Sequence, residues 1–369
     1  MLKRLILVKK LLAEAELENR AWITLKECLE AIPGANVVVY ESDHADSHRV
    51  SVPDLVASVN IEGRQTRLIA EVKKNGAPKS ARDAINQMLY YRSRGDLENT
   101  CSIFIAPYIS ENTAKLCREE KTGYLDLAGN CHIAFAGVYV HTEGKPNPFS
   151  YSRPLVSLYK PKSERVLRAM LTHPSREWRI QKLADEANVS VGQVFNVKEL
   201  LLGQEWAGES EQGISLARPR ELLTDWAEHY NVAKHQAAQF YTLTDLLVFE
   251  EMLSEACAKS GIPCAFTSFA AASRYTPYAA YQRTTAYIHH NLPEVMDILM
   301  SPPLDLVQVE SGANVQLLSP YDDGVFYGAR QYHGVSLASP IQTYLDLQIT
   351  NGRGREAADM ILQHEIGLV

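Results

Sequence analysis

PDLVASVNIEGRQTRLIAEVK, residues 53–73, is the stretch that decides how the first part of the chain is read. Leu68-Ile69-Ala70 is apolar without alternation, as a central strand covered on both faces requires. Before it, Val50, Val52, Leu55, Val59 and Ile61 alternate with polar residues, and Glu62-Gly63 supplies a turn, so the two runs form a hairpin. Sixteen residues separate Asp54 from Glu71, and on a hairpin that spacing brings the two acids together. Two carboxylates so placed can hold one Mg²⁺, with the Val72 carbonyl as a further hard oxygen ligand. Glu71 and Lys73 are two apart on a strand and share a face. The lysine can then orient a water or offset charge that builds on a phosphate. The bland alternative for two acids and a lysine at loose spacing is a solvated strand end.

Working outward, residues 2–31 read as a helix stopped by Pro33-Gly34, and Val37 to Tyr40 as a further strand. Residues 80–94 read as a helix, Cys101 to Ala106 as a buried strand, Ser110 to Glu120 as a capped helix, and Tyr124 to His141 as two or three short strands. This order predicts an α/β domain with a mixed sheet over residues 1–150, ending in a Pro-rich linker at 143–154. Gln87 and Tyr91 on the helix after the hairpin complete a Q-x3-Y pattern.

PD-x16-ExK followed by Q-x3-Y resembles the PD-(D/E)xK nuclease superfamily, in its RecB-like branch, over roughly residues 1–140. The resemblance implies a restriction-endonuclease-like mixed sheet. It makes Asp54 and Glu71 metal ligands, Lys73 the catalytic lysine, Gln87 an accessory site residue and Tyr91 a contact to the DNA backbone. The implied cofactor is Mg²⁺ or Mn²⁺, and the implied activity, if the site is live, is DNA endonuclease cleavage; the same fold is also kept as an inactive binding module. Family members often carry another acid on the first helix, and Glu14, Glu16, Glu18, Glu27 and Glu30 all qualify.

Residues 151–230 change character. Ser163 to Leu171, Trp178 to Ala187 and Val191 to Leu202 read as three helices, the last two joined by a short turn at 188–190, with a small wing at 203–216. This predicts a winged helix-turn-helix with Leu167, Met170, Ile180, Leu183, Val194 and Leu201 as its core. Eight Lys and Arg against two acids within 153–182 make a local +6 suited to phosphates. Arg165, Arg168, Arg176, Arg179 and Lys182 are the candidate phosphate contacts. Gln193, Asn196 and Lys198 on the presumed recognition helix are candidate base readers. The competing readings are a helical bundle with a solvated basic face, or a winged helix used for protein contacts.

Of 369 residues, 46% are hydrophobic and 22% charged, which excludes wholesale disorder. The net charge of −7 falls entirely within 231–369, where 14 acids face 7 bases; residues 1–150 and 151–230 each balance. The last third, an expected α+β domain, is thereby suited to a protein partner more than to DNA. Six cysteines without CxxC spacing suggest reduced thiols in a cytoplasmic protein. No window reaches the length of a membrane span, and Leu5 to Val8 is too short for a signal-peptide core. His44 and His48, and the His289-His290 pair, are weak metal candidates.

Three stretches, residues 124–130 (YLDLAGN), 266–274 (FTSFAAASR) and 339–347 (SPIQTYLDL) with 352–358 (GRGREAA), resemble the type IV, abortive-infection (AbiEi-like) antitoxins and related transcriptional regulators. The resemblance implies a prokaryotic DNA-binding regulator that opposes a nucleotidyltransferase-type toxin, with double-stranded DNA as a partner and a homodimer left open. The alternative function is a Mg²⁺-dependent deoxyribonuclease of phage-defence type, targeted by its winged helix. On the bland reading Asp346 caps or pairs locally, and Tyr275, Tyr278, Tyr281 and Tyr287 are either core or an exposed partner surface.

Overall fold

A computed structural model describes residues 2–41, 52–61, 63–94, 100–149, 158–276, 281–289, 291, 293–304, 306–350 and 352–368. His44, His48, Arg153, Tyr278 and His290 lie outside them. Among the described residues no helix is long and apolar enough to cross a membrane. The chain divides into two compact units, 1–155 with 203–205, and 156–202 with 206–369.

The first unit opens with α1 (Leu2–Glu30), followed by β1 (Ala35–Glu41), β2 (Leu55–Ile61) and β3 (Arg64–Val72). Then come α2 (Pro78–Arg94), β4 (Thr100–Ala106), α3 (Glu111–Glu119), β5 (Gly123–Asp126), β6 (Cys131–Phe135) and β7 (Val138–Thr142). The seven strands lie in sequence order in one mixed sheet. β1, β2 and β3 are antiparallel, β3, β4 and β5 parallel, and β5, β6 and β7 antiparallel. Leu68 and Ala70 face Leu25 and Leu29 of α1, whereas Ile69 packs with Ala81, Ala84 and Met88 of α2 and Cys117 of α3. Strand β3 is therefore covered on both faces, which explains its unbroken apolar run. Ser110 caps α3, accepting the Thr113 amide at 3.4 Å.

In the second unit α4 (Pro161–Thr172), α5 (Ile180–Glu186) and α6 (Val191–Gly203) precede the hairpin β8 (Ala207–Glu209) and β9 (Ile214–Leu216). The second helix begins two residues later than expected, because Trp178 pairs with Ile214 and adds a rung to the hairpin. Gly213, at φ 145°, permits that approach: a Cβ there would stand 2.3 Å from the Trp178 carbonyl. Leu167, Met170, Leu183, Val194 and Leu201 are buried as expected, with Ile180 half-buried beside them.

After α7 (Pro219–His229) the chain builds a second seven-stranded mixed sheet from β10 (Gln236–Tyr241), β11 (Cys264–Thr267), β12 (Thr284–Ile288), β13 (Val307–Gln308), β14 (Val315–Ser319), β15 (Arg330–Tyr332) and β16 (Val335–Leu337). The strand order is β13-β10-β14-β12-β11-β16-β15. Helices α8 (Leu246–Ser260), α9 (Ser268–Tyr275), α10 (Pro293–Met300), α11 (Pro340–Gln348) and α12 (Gly354–Ile361) complete the unit. The strand expected across 305–310 shortens to β13. One continuous core runs from Val166, Trp178 and Leu201 through Leu223 and Trp226 to Ile341, Tyr344 and Ala358. The boundary expected near residue 230 falls inside it.

Candidate functional site

The antiparallel register ends with Leu55 against Ala70, which brings Asp54, just before β2, close to Glu71, the next residue of β3. Asp54 Oδ2 accepts the Val72 amide at 2.8 Å. Lys73 Nζ donates to Glu71 Oε2 at 2.8 Å and to Gln87 Oε1 at 2.5 Å. Tyr91, one turn beyond Gln87 on α2, lies near enough to Glu71 to lower its pKa. All five residues singled out from the sequence thus converge. A cleft of about 420 Å³ opens beside them, lined by Leu17, Glu18, Asp54, Lys73 and Asn75. Among the first-helix glutamates whose side chains are described, Glu18 is the one that lines it.

Glu71 is 1% exposed, and its Oε1 has no hydrogen-bond partner. Burial pushes its carboxyl above the usual range, Asp54 adds to the rise, and Lys73 and Tyr91 oppose it. A buried, unpartnered carboxylate oxygen facing a second acid is an arrangement that a divalent cation relieves. No group of three His, Cys, Asp or Glu side chains among the described residues is placed to hold a metal. The protein's share of such a site would be two carboxylates and main-chain oxygen, consistent with Mg²⁺, which keeps several waters.

The candidate DNA contacts divide sharply. Arg176, Arg179 and Lys182 are exposed and surround, with Glu177, Trp178 and Gln212, a notch of about 480 Å³. The Arg176 guanidinium lies 3.8 Å from the Trp178 ring centroid. Asn196 is exposed on α6. The other four are engaged inside the unit. Gln193 Nε2 donates to Ser163 Oγ at 3.0 Å, Lys198 pairs with Glu209, and Arg165 Nε donates to Asp322 Oδ1 at 2.8 Å. Arg168 requires a correction: it is 1% exposed, donates to Gln342 Oε1 at 2.6 Å, and stands over the Trp226 ring, so no phosphate can reach it. Helical periodicity puts Arg168 one turn from Glu164 on the buried stripe, a position that a count of basic residues does not reveal.

Arg168 belongs to a buried polar network whose hub is Asp346. Asp346 Oδ1 accepts from the Tyr287 and Tyr230 hydroxyls at 2.8 and 2.9 Å, and Oδ2 from Thr267 Oγ1 at 2.6 Å. Gln342 Nε2 donates to the Tyr230 hydroxyl at 2.8 Å. Burial pushes the Asp346 carboxyl up, with the donors pulling the other way. Asp346 therefore does more than pair locally. Of the tyrosines singled out from the sequence, Tyr287 is buried in this network, while Tyr275 and Tyr281 are half-buried and bonded to the Ala338 carbonyl and to Glu250. Tyr230 and Gln342 escaped sequence reading; the available signal was a carboxylate inside the apolar run Tyr344-Leu345-Asp346-Leu347. His289 bonds Asp323 at 2.9 Å.

Residues 215–367 match a family described as transcriptional regulator, AbiEi antitoxin, type IV toxin–antitoxin system. The match takes in Thr267, Gln342 and Asp346 and stops short of residues 124–130. No curated protein and no solved structure matches the chain.

Proposed function

We propose, from the AbiEi antitoxin family match of residues 215–367, that the protein is a cytoplasmic, DNA-binding transcriptional regulator of a type IV toxin–antitoxin system. The family implies a toxin counterpart. The observation that carries the DNA-binding half is the exposed cluster of Arg176, Arg179 and Lys182 on a segment of three helices and a hairpin, the element order of a winged helix-turn-helix. These cations meet phosphates and position the duplex. Titrating the full chain against a random-sequence duplex tests this. Binding is expected at low salt, and its logarithm is expected to fall linearly with log salt concentration. Alanine at all three positions should lower the slope by roughly 3, since each phosphate contact contributes about 0.9. Absence of binding at 50 mM salt, or a slope unchanged in the triple variant, defeats the assignment.

A second reading attaches to the first unit, and the unpartnered Glu71 Oε1 is what favours it. Asp54 and Glu71 hold Mg²⁺ or Mn²⁺ there, with Lys73, steadied by Gln87, beside the place where a phosphate would sit. A bound cation would supply an activated water for phosphodiester hydrolysis. Calorimetry with Mn²⁺ should show uptake that Asp54→Asn with Glu71→Gln abolishes. Incubating the chain with supercoiled, linear and single-stranded DNA plus Mn²⁺ then asks for chemistry. Cleavage lost in Lys73→Ala makes the unit a nuclease; uptake without cleavage makes it a metal-held binding fold; no uptake ends this reading.

A further inference from the structure

The outward face of α6 is made of Val191, Gly192, Phe195, Asn196 and Glu199. Val191 is 44% and Phe195 51% exposed, large values for apolar side chains on a helix whose other face is core. No cation belongs to this face. Lys198 is held by Glu209, with its ammonium 5.7 Å from the Phe195 ring centroid, so it steadies the ring instead of reaching outward. Gln193 is turned back to Ser163. A major-groove reader needs Arg or Lys to take the O6 and N7 acceptors of guanine, and the outward face offers neither. What it offers is apolar surface, which fits the thymine C5-methyl, and one carboxamide, which fits adenine N6 and N7 as a bidentate partner. Glu199 closes the face two turns from Val191 and confines contact to the helix's N-terminal end, where the dipole favours phosphates.

Resting on the DNA-binding reading above, we propose that α6 reads A·T pairs: Val191 and Phe195 against thymine methyls, Asn196 on the adenine edge. Nucleic acid is favoured over a protein as the occupant of this face because the same compact unit presents the exposed Arg176, Arg179 and Lys182 at the start of the preceding helix. Those side chains hold a backbone while α6 meets the bases.

The test uses the full chain and three synthetic duplexes, alternating poly(dA-dT), poly(dA-dU) and poly(dG-dC), at one low salt concentration. Uracil differs from thymine only by the missing methyl. Wild type is expected to prefer dA-dT over dA-dU by roughly four- to fifteenfold, as loss of one or two buried methyls implies. It should prefer dA-dT over dG-dC by more. Phe195→Ala should shrink the dA-dT over dA-dU preference to the part Val191 supplies, and Phe195→Leu should restore some of what is lost. Asn196→Ala should lose most of the preference over dG-dC. Equal, salt-sensitive binding of dA-dT and dA-dU by wild type overturns this proposal alone. So does a dT/dU ratio that Phe195→Ala leaves intact, which would return the face to protein contacts. Binding to none of the duplexes overturns both this proposal and the DNA-binding reading.

Discussion

Alanine in place of Arg168 is expected to cost the second unit about 3–5 kcal/mol, the range for removing one partner of a buried charge pair. Its guanidinium is 3.6 Å from Glu164 Oε2, and both side chains are 1% exposed. Without it, Glu164 keeps the Tyr321 hydroxyl and Lys234 at 3.7 Å, while Gln342 Oε1 loses its donor. The cation–π contact to Trp226 goes as well. Arg168→Met, close in volume, should still lose most of this, because the cost lies in the groups left behind more than in the cavity. Arg179→Ala, at the surface, should change stability by no more than about 0.5 kcal/mol. Urea unfolding of the three variants checks the contrast. A loss under 1 kcal/mol for Arg168→Ala would mean that the network is not a stabilising element.

Acid should weaken the same region through His235. Its ring is buried, with Nε2 3.1 Å from the Tyr230 hydroxyl and Nδ1 unpartnered. Tyr287 and Tyr321 pack at 5.1 and 4.7 Å between ring centroids. Burial, then the positive charges of Arg168 and Lys234, lower its pKa from 6.5 to about 4. A histidine lowered in the folded state adds stability that is complete above its unfolded pKa and lost as pH falls through the folded one. The window is therefore about pH 6.5 down to 4, and the amount roughly 3 kcal/mol at 1.36 kcal/mol per pKa unit. Asp346 and Glu250, both raised by burial, act with the opposite sign over the acid range. The clean measurement is thus a difference: the stability advantage of wild type over His235→Gln should shrink by about 3 kcal/mol between pH 7 and pH 4. An advantage that stays constant would place the protonation elsewhere.

The side chains that meet at Glu71 were legible because their spacings are local. A hairpin register, a period of two and a period near four suffice to bring Asp54, Glu71, Lys73, Gln87 and Tyr91 to one place. The choice of Glu18 among the first-helix acids was not, since it depends on how α1 crosses the sheet. The basic segment failed in an instructive way. Charge counting treats Arg168 and Arg179 alike, yet one lies on the buried stripe of α4 and the other precedes α5 in the open. Only the partners Gln342 and Trp226, 174 and 58 positions along the chain, separate them. The same distance in sequence hid the Asp346 network, whose donors come from Tyr230, Thr267 and Tyr287.

The core shared by α4, α7 and α11 has a genetic corollary. A stop codon near position 230 would not release a working DNA reader from a dispensable tail. It would strip Ile341, Tyr344 and Leu345 from Val166, Leu223 and Trp226 and leave Arg168 without Gln342. Early truncations should behave as null alleles for every activity of this unit, and alleles that separate the proposed DNA reading from the proposed antitoxin role should be missense changes confined to solvent-facing positions such as Arg179 and Asn196.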